Sequence, residues 1–354
     1  MSKKIEVALI FGGRSAEHEV SLVSALAIHK NLNKTRFEVR SIYITRQGLW
    51  KVVEAPSTDI EALERGRAFS FLPWEGSSPE RELAADIYFP ILHGPYGEDG
   101  TIQGLLEMAG VPYVGAGVLG SALGMDKVTA KSILRDCGLP VVPWLVLREV
   151  DWKSDAARFL RRVRRTLPLP LFVKPSNLGS SVGVTKVGAH DDLPAALATA
   201  FRYDTTILVE KGIRGRELEC SVLGNEAPEA SLPGEIIPFR EFYDYNDKYL
   251  DGRTTFVIPA KLPAGTRDRV RALAVAAFKA LGASGMARVD FFLEKGTNRL
   301  YVSEINTIPG FTEISMYPKL WAVSGLAFPR LLERLIELGF ERHANRRTCL
   351  ERDR

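Results

Sequence analysis

The stretch LFVKPSNLGSSVGV, residues 171–184, constrains the fold more than any other part of the sequence. It opens with an apolar run of the kind that forms a buried strand. After Lys174 it continues into small and hydroxylated residues over 176–183, and residues 184–187 are typical of a returning strand. The stretch therefore predicts a hairpin with a flexible tip rich in glycine and serine, and with a lysine at its base.

A tip of this composition is suited to binding phosphate. Glycine has no Cβ, so several backbone N–H groups can approach phosphate oxygens closely, and Lys174 would add a point charge for the same oxygens. The alternative is a surface hairpin with a polar turn, and this stretch alone does not decide between the two. The pattern GxxxxGK[ST] is absent, so the stretch is not a Walker A loop.

The length and composition indicate a soluble protein with more than one core. A chain of 354 residues predicts two or three domains, and 45% apolar with 25% charged residues is a globular profile. The apolar runs are shorter than a membrane span, so we expect no membrane partner. Residues 1–10 lead directly into a glycine turn, which predicts a first strand and not a signal peptide.

Charge and cysteine usage exclude further classes. The net charge is +4, but arginines crowd the tail at 341–354, and the remainder is close to neutral, so we expect no nucleic-acid partner. We interpret the tail as a solvated terminus. The three cysteines form no CxxC pair, which argues against a disulfide framework or a zinc site. A reducing, cytoplasmic location is the expectation.

The first part of the chain predicts a small open α/β domain. Strands at 5–11 and 85–92 are each followed by a glycine-containing loop, GGRSAEHE and HGPYGEDG. Ligands of open α/β sheets bind at the carboxyl ends of strands, so the two loops would flank a site if their strands share a sheet. The alternative is that each loop is only a turn. Residues 45–78 are polar and predict no regular structure.

A polar constellation occupies two predicted strands in the last third of the chain. Arg288 and Asp290 are two apart on one strand, and Glu304 and Asn306 repeat the spacing on the next. Side chains two apart on a strand share a face, so the four would lie together. Clustered carboxylate and amide oxygens suit Mg²⁺, which completes its octahedron with phosphate oxygens and water. The alternative is a solvated sheet face.

Several motifs, taken in order along the chain, resemble those of the ATP-grasp ligases, and in particular the D-alanine–D-alanine ligase family. The resemblance runs from residue 11 to about residue 339. The motifs are FGGRSAEHEVS (11–21), HGPYGEDGTIQG (93–104), GMDK (124–127), FVKPSNLGSSVGV (172–184), VEKGIRGRELE (209–219), EFYDYNDKY (241–249), ARVDFF (287–292) and EINTIPGFTEISMYP (304–318).

The resemblance implies an α/β (α+β) protein with a three-domain ATP-grasp fold. The domains would be an N-terminal open α/β domain at 1–121, a central ATP-grasp subdomain at 122–217, a C-terminal ATP-grasp subdomain at 218–340, and the basic tail at 341–354. The implied activity is ATP-dependent joining of two D-alanine molecules through a D-alanyl phosphate, for peptidoglycan precursors. A homodimer is also implied.

The resemblance also assigns roles to residues. ATP would bind between the last two domains, with adenine near Glu210, Lys211 and Ile213 and with the ribose hydroxyls on Glu217. The phosphates would be bound by Lys127, Lys174 and Lys248. Ser180 and Ser181 would close over the phosphates. Two Mg²⁺ ions, which Mn²⁺ could replace, would be held by Asp290, Glu304 and Asn306. Glu17 would bind the first D-alanine's ammonium, Ser315 the second's carboxylate, and Arg288 would stabilise the intermediate. Ser181 and Tyr249 would join Glu17 in closing the site.

Two other functions remain open on the sequence. A depsipeptide ligase would join D-alanine to D-lactate, but the aromatic loop at 239–255 resembles the tyrosine-bearing lid that accompanies dipeptide formation. The alternative for that loop is a long exposed segment. A non-catalytic ATP-binding regulator is the third candidate, and it would be expected to have lost Arg288, Asp290, Glu304 or Asn306, all of which are present.

Overall fold

A computed structural model of the protein describes residues 3–69, 85–238 and 254–351. The described part contains three β-sheets, which follow one another along the chain. The architecture is mixed α/β, as the sequence predicted. None of the described helices combines the length and the apolar composition needed to cross a bilayer.

The first sheet has the strand order β4-β3-β2-β1-β5. Its strands and the helices around them are β1 (Ile5–Gly12), α1 (His18–Asn31), β2 (Phe37–Ile44), β3 (Trp50–Val53), α2 (Ile60–Glu64), β4 (Arg67–Phe69), β5 (Ile87–Pro90) and α3 (Thr101–Met108). β1 pairs in parallel with both β2 and β5, and its residues from Val7 onward are buried, as expected of a central parallel strand. The prediction that these two strands share a sheet is confirmed. The glycine loops that follow β1 and β5 therefore lie side by side.

The segment at 45–78 is more regular than the sequence indicated. Its described part forms β3 and β4, which extend the sheet antiparallel from β2, and the short helix α2. The expectation of no regular structure was wrong there, because elements of three to five residues are too short to show a periodic pattern. Beyond β5, a single bridge joins Tyr88 to Tyr113.

The second sheet has the order β6-β9-β7-β8 and is antiparallel. The elements of this region are α4 (Val118–Met125), α5 (Lys127–Asp136), β6 (Trp144–Arg148), α6 (Glu149–Thr166), β7 (Leu171–Pro175), β8 (Thr185–Val187), a 3-10 turn (His190–Asp192), α7 (Leu193–Ala200) and β9 (Thr206–Lys211). The predicted hairpin is confirmed as β7 paired with β8. α6 and α7 pack on this sheet and close its apolar core.

The third sheet has the order β13-β12-β10-β14-β15, with β11 on β10. Its elements are β10 (Gly215–Gly224), β11 (Glu229–Ala230), β12 (Gly234–Ile237), β13 (Thr255–Val257), α8 (Ala264–Ala280), β14 (Gly285–Glu294), β15 (Leu300–Asn306), α9 (Met316–Val323) and α10 (Phe328–Glu351). α8 covers one face of the sheet with a core of small and branched residues. The opposite face carries the polar side chains discussed below.

The last helix returns to the first sheet. Leu331, Leu335 and Leu338 of α10 share one apolar cluster with Val7 and Leu9 of β1. Nearby, the Arg342 guanidinium lies 3.9 Å from the centroid of the Tyr113 ring and pairs with Glu107 at 3.3 Å. The beginning and the end of the chain therefore complete one core. The division into the four ranges given above remains a prediction.

Candidate active site

The polar face of the third sheet is built by strand register. Asp290 of β14 lies opposite Glu304 of β15, and Arg288 lies opposite Asn306. On the other side of β14, Asp290 faces Glu219 of β10. Because residues two apart on a strand share a face, these side chains form one patch, which confirms the prediction that the four residues on β14 and β15 lie together.

Arg288 is the positive centre of this patch. Its Nε and Nη2 atoms donate to Asp290 Oδ1 and Oδ2, each at 2.7 Å, and Nε lies 3.1 Å from Glu219 Oε2. Burial by itself would lower the pKa of the guanidinium, but Asp290 and Glu219 outweigh it and raise that pKa well above its ordinary value. Arg288 is therefore a permanent positive charge held among carboxylates.

Two pockets meet at this patch. Pocket A extends toward the first sheet, and its lining includes Glu17, His93, Glu98, Arg288, Asn306 and Ser315. Pocket B extends toward the second sheet, and its lining includes Phe172, Lys174, Ser181, Glu210, Lys211, Ile213, Glu217 and Asp290. They share one wall, made of Lys127, Leu178, Gly179, Ser180, Glu219 and Glu304. A molecule in one pocket can thus touch a molecule in the other.

The floor of pocket B contains a buried carboxylate between two lysines. Lys174 Nζ lies 2.7 Å from Glu210 Oε2, and Lys131 Nζ pairs with Glu210 Oε1. The side chains of Lys131 and Glu210 are only 3% and 2% exposed, so this pairing is shielded from solvent. We refer to Lys131, Glu210 and Lys174 as the lysine–glutamate triad.

The triad shifts the pKa of each of its members. Burial would raise the pKa of Glu210, but the two lysines outweigh it and lower that pKa. Burial lowers the pKa of Lys131, although Glu210 opposes this. Burial also tends to lower the pKa of Lys174, but the carboxylates of Glu210 and Glu304 outweigh burial and raise that pKa. Of the triad, Glu210 and Lys174 line pocket B, and the raised pKa of Lys174 keeps its amine positively charged, which suits a polyanionic ligand.

The hairpin tip lies over the wall that the pockets share. Lys127 Nζ donates to the carbonyl oxygen of Leu178 at 2.5 Å, and Ser180 Oγ donates to Glu17 Oε1. A Cβ on Gly179 would lie 2.8 Å from Glu17 Oε2, so a side chain there would displace the Glu17 carboxylate. The tip thereby connects the second sheet to the loop after β1.

Ser180 is a contact of Glu17 that sequence reasoning did not anticipate. Ser180 and Ser181 have φ angles of 49° and 58°, and in this left-handed turn Ser180 lines both pockets while Ser181 lines pocket B. Such a turn cannot be inferred from two adjacent serines. The closing role that the resemblance gives to Ser181 stays a prediction.

Glu98 and His93 line pocket A, although sequence reasoning gave neither a role. Burial raises the pKa of Glu98, with His93 opposing the shift and Glu17 adding to it. His93 Nδ1 lies 3.0 Å from the Ile308 carbonyl oxygen, to which it donates, and 3.6 Å from Glu98. The signal in the sequence was their place in the loop after β5, at the carboxyl end of a parallel strand.

The remaining predicted residues are located as follows. Ser315 precedes α9 and its Oγ accepts from the Thr312 backbone N–H at 3.0 Å, within pocket A. Tyr249 and Lys248 lie outside the described residues, as does most of the predicted lid.

Glu219 and Lys131 were missed by sequence reasoning. The only signal in the sequence was their spacing from predicted residues. Glu219 follows Glu217 by two residues on one strand, and Lys131 follows Lys127 by four residues on one helix, so each pair shares a face.

The comparisons with known proteins agree with this geometry. The chain matches the family described as D-ala D-ala ligase N-terminus over residues 6–116 and D-ala D-ala ligase C-terminus over residues 133–337. Among similar sequences, a D-alanine--D-alanine ligase of Solibacter usitatus is 51% identical over 96% of this chain and 97% of its own length. One from Thermoanaerobacter sp. is 48% identical, with coverages of 97% and 98%.

Solved structures show the same relationship. The D-alanine-D-alanine ligase from Coxiella burnetii superposes with a TM-score of 0.88 at 40% identity, covering 99% of this chain and 97% of its own. The VanG D-Ala:D-Ser ligase from Enterococcus faecalis superposes with a TM-score of 0.83 at 35% identity, covering 95% of this chain and 100% of its own. The fold is that of an ATP-grasp ligase. Within that class, the chain belongs to the D-alanine–D-alanine ligase family.

Proposed function

We propose that the protein joins two molecules of D-alanine to D-alanyl-D-alanine, with conversion of ATP to ADP and phosphate, as a step in peptidoglycan precursor synthesis. The observation that carries this proposal is the wall shared by pockets A and B. Such a wall would bring a nucleotide in one pocket into contact with an amino acid in the other, which is what formation of an acylphosphate requires. The family to which the chain belongs supports the choice of substrates.

Pocket B would bind ATP. The amines of Lys174 and Lys127, which both line this pocket, suit its phosphates. Phe172 and Ile213 give pocket B apolar surface for a base, Glu210 and Lys211 lie beside them, and Glu217 can accept hydrogen bonds from ribose hydroxyls. Ser180 and Ser181 in the tip would close over the phosphates.

The donor set on β14 and β15 fits Mg²⁺. Asp290 and Glu304 are opposed across paired strands, Asn306 follows on the same face, and the face borders both pockets. Two carboxylates and an amide are the oxygen donors that Mg²⁺ prefers, with phosphate and water completing the set. Mg²⁺ bound there, or Mn²⁺ in its place, would neutralise phosphate charge during phosphoryl transfer.

Pocket A would bind the two D-alanines. The Glu17 carboxylate suits the ammonium of the first, and the Ser315 hydroxyl suits the carboxylate of the second. The first D-alanine's carboxylate would take the γ-phosphoryl group, since phosphate is a far better leaving group than oxide. The second D-alanine's amine would then attack that carbonyl, and Arg288 would stabilise the developing oxyanion.

Exclusion of water is the further requirement, because an acylphosphate hydrolyses readily. The contact between Ser180 and Glu17 already ties the hairpin tip to the first domain. We propose that Tyr249, from the loop at 239–255, completes this closure with them. The homodimer that the family resemblance implies remains a prediction.

The test of this function is the identity of the product. The protein would be incubated with ATP, Mg²⁺ and D-alanine, with D-lactate or D-serine offered in competition, and the products separated by mass. We expect D-alanyl-D-alanine and one phosphate per dipeptide. A depsipeptide would establish the D-lactate alternative, and a D-Ala-D-Ser product would align the chain with the D-Ala:D-Ser ligase from Enterococcus faecalis. Phosphate release that does not depend on D-alanine would contradict all three.

The hairpin tip gives a second prediction. Residues 176–183 should exchange backbone amide hydrogen more slowly when ATP and Mg²⁺ are added, because the tip would then be held against phosphates. Hydrogen exchange followed by mass spectrometry measures this directly. The turn at 295–298, which lines neither pocket, is the internal control. Equal exchange with and without nucleotide would mean that the tip is only a connection between strands.

A further inference from the structure

Arg288 stands between two carboxylates from different strands. It makes a bidentate contact with Asp290 on its own strand, while Glu219 of β10 lies 3.1 Å from Nε. The Nε–H bond is directed at Asp290, and bidentate pairs of this kind are among the strongest hydrogen-bonded contacts. In the structure the guanidinium is therefore held mainly by Asp290.

The proposed function gives Asp290 a second role. Once its oxygens face a divalent ion, they can no longer hold Arg288 in the same bidentate manner, because the same lone pairs would serve both. Arg288 must then either compete with the metal for the oxygens of Asp290 or donate to another acceptor. The side chain of Glu219, only 6% exposed, is the neighbouring carboxylate in this patch.

Strand order separates Glu219 from the predicted metal donors. β14 lies between β10 and β15, so Glu219 and Glu304 are on opposite sides of Asp290. Asp290 and Glu304 would then face the metal, and Glu219 would remain for Arg288.

We propose that Glu219 is a positioning residue, which holds the guanidinium of Arg288 at the wall between the pockets while Asp290 serves the metal site. This inference rests on the proposed function. Glu219 would act through Arg288 and would not touch the reacting carbonyl. Its negative charge would keep the guanidinium aimed at pocket A during the step in which the oxyanion forms.

The kinetic test is Glu219→Gln, which keeps the shape and removes the charge. We expect kcat to fall about 10- to 100-fold, less than the roughly 100- to 1,000-fold typical of removing an oxyanion donor outright. The KM for ATP should stay within about threefold, because phosphate contacts are untouched. Glu219→Asp, which restores the charge, should recover part of kcat. Glu235→Gln is the matched control, since Glu235 pairs with Arg216 in the same sheet at 2.6 Å.

A second readout does not depend on turnover. With ADP and Mg²⁺ bound, the Nε–H resonance of Arg288, identified by its loss in Arg288→Lys, should be sharp in the wild type and broadened in Glu219→Gln. The resonance of Arg216 should not change. Wild-type failure to form dipeptide would count against the proposed function, whereas this spectrum would still decide the role of Glu219. If Glu219→Gln does not fold, Glu219→Asp is compared in the same two measurements.

Two results would overturn the inference. One is a folded Glu219→Gln with wild-type kcat and an unchanged Arg288 resonance. The other is a Glu219→Gln that loses affinity for Mn²⁺ in a titration with ADP while the Arg288 resonance stays sharp, since Glu219 would then be a metal donor.

Discussion

Replacing Glu304 with glutamine is expected to lower the rate of dipeptide formation about a thousandfold while leaving the fold intact. Glu304 lies in the wall shared by the two pockets and opposite Asp290. Loss of its charge would weaken the metal site, and such an ion contributes several kcal/mol of transition-state stabilisation. About 4 kcal/mol corresponds to a factor of roughly a thousand. Glutamine has nearly the same volume, so β15 should keep its register.

This prediction is checked by coupled phosphate release and by thermal unfolding. Glu229→Gln serves as the control, since Glu229 is exposed on β11 and lines neither pocket. It should retain wild-type turnover. A folded Glu304→Gln protein that releases phosphate at the wild-type rate would remove Glu304 from the metal site.

The second large effect concerns stability. Glu210→Gln should lower the free energy of unfolding by about 3–5 kcal/mol, the range found when one partner is removed from a buried ion pair. Glu210 neutralises both Lys131 and Lys174. Glutamine carries no charge, so the buried ammonium of Lys131 would lose its paired carboxylate, and Lys174 would keep only the attraction of Glu304 and Glu217. Urea unfolding at neutral pH measures the loss.

The difference in unfolding free energy between wild type and Glu210→Gln should also depend on pH, and its direction can be predicted. The pKa of Glu210 is lowered in the folded state, so its contribution is fully present above the unfolded pKa of about 4.3 and is lost as the pH falls through the folded value. The stability difference between wild type and Glu210→Gln should therefore be largest at neutral pH and shrink under acid conditions. A difference that does not change with pH would contradict the ionised triad.

Glu149→Gln provides the comparison for this experiment. Glu149 pairs with Lys153 across one turn of α6, at 2.7 Å, with the lysine 69% exposed. Exposed pairs of this kind contribute about 1 kcal/mol or less. If Glu149→Gln and Glu210→Gln cost the same, burial would have no special effect on the triad.

The parts of the site that follow from local spacing could be predicted. The two-residue spacing of Arg288 and Asp290, and of Glu304 and Asn306, places each pair on one face of a strand, and adjacent strands bring the pairs together. The hairpin at β7 and β8 was likewise indicated by its apolar flanks and its small tip. In both cases the interacting residues are close in sequence.

The parts that depend on distant pairing could not be predicted. Glu219 meets Arg288 only because β10 pairs antiparallel with β14, far along the chain, in a particular register. Lys131 meets Glu210 because α5 packs near the end of β9, and an isolated sequence gives no reason to bury a lysine. The contact between Ser180 and Glu17 depends on a left-handed turn that both adjacent serines adopt.

The core shared by β1 and α10 has a consequence for how the protein is made. β1 and α1 are synthesised long before α10, which begins at Phe328 and completes the apolar core that the three share. A nascent chain therefore exposes part of that core until α10 has been made, and the first sheet cannot complete its packing when its own residues have been synthesised. Exposed apolar surface of this kind is what molecular chaperones bind. The order of synthesis and the order of assembly differ in this protein.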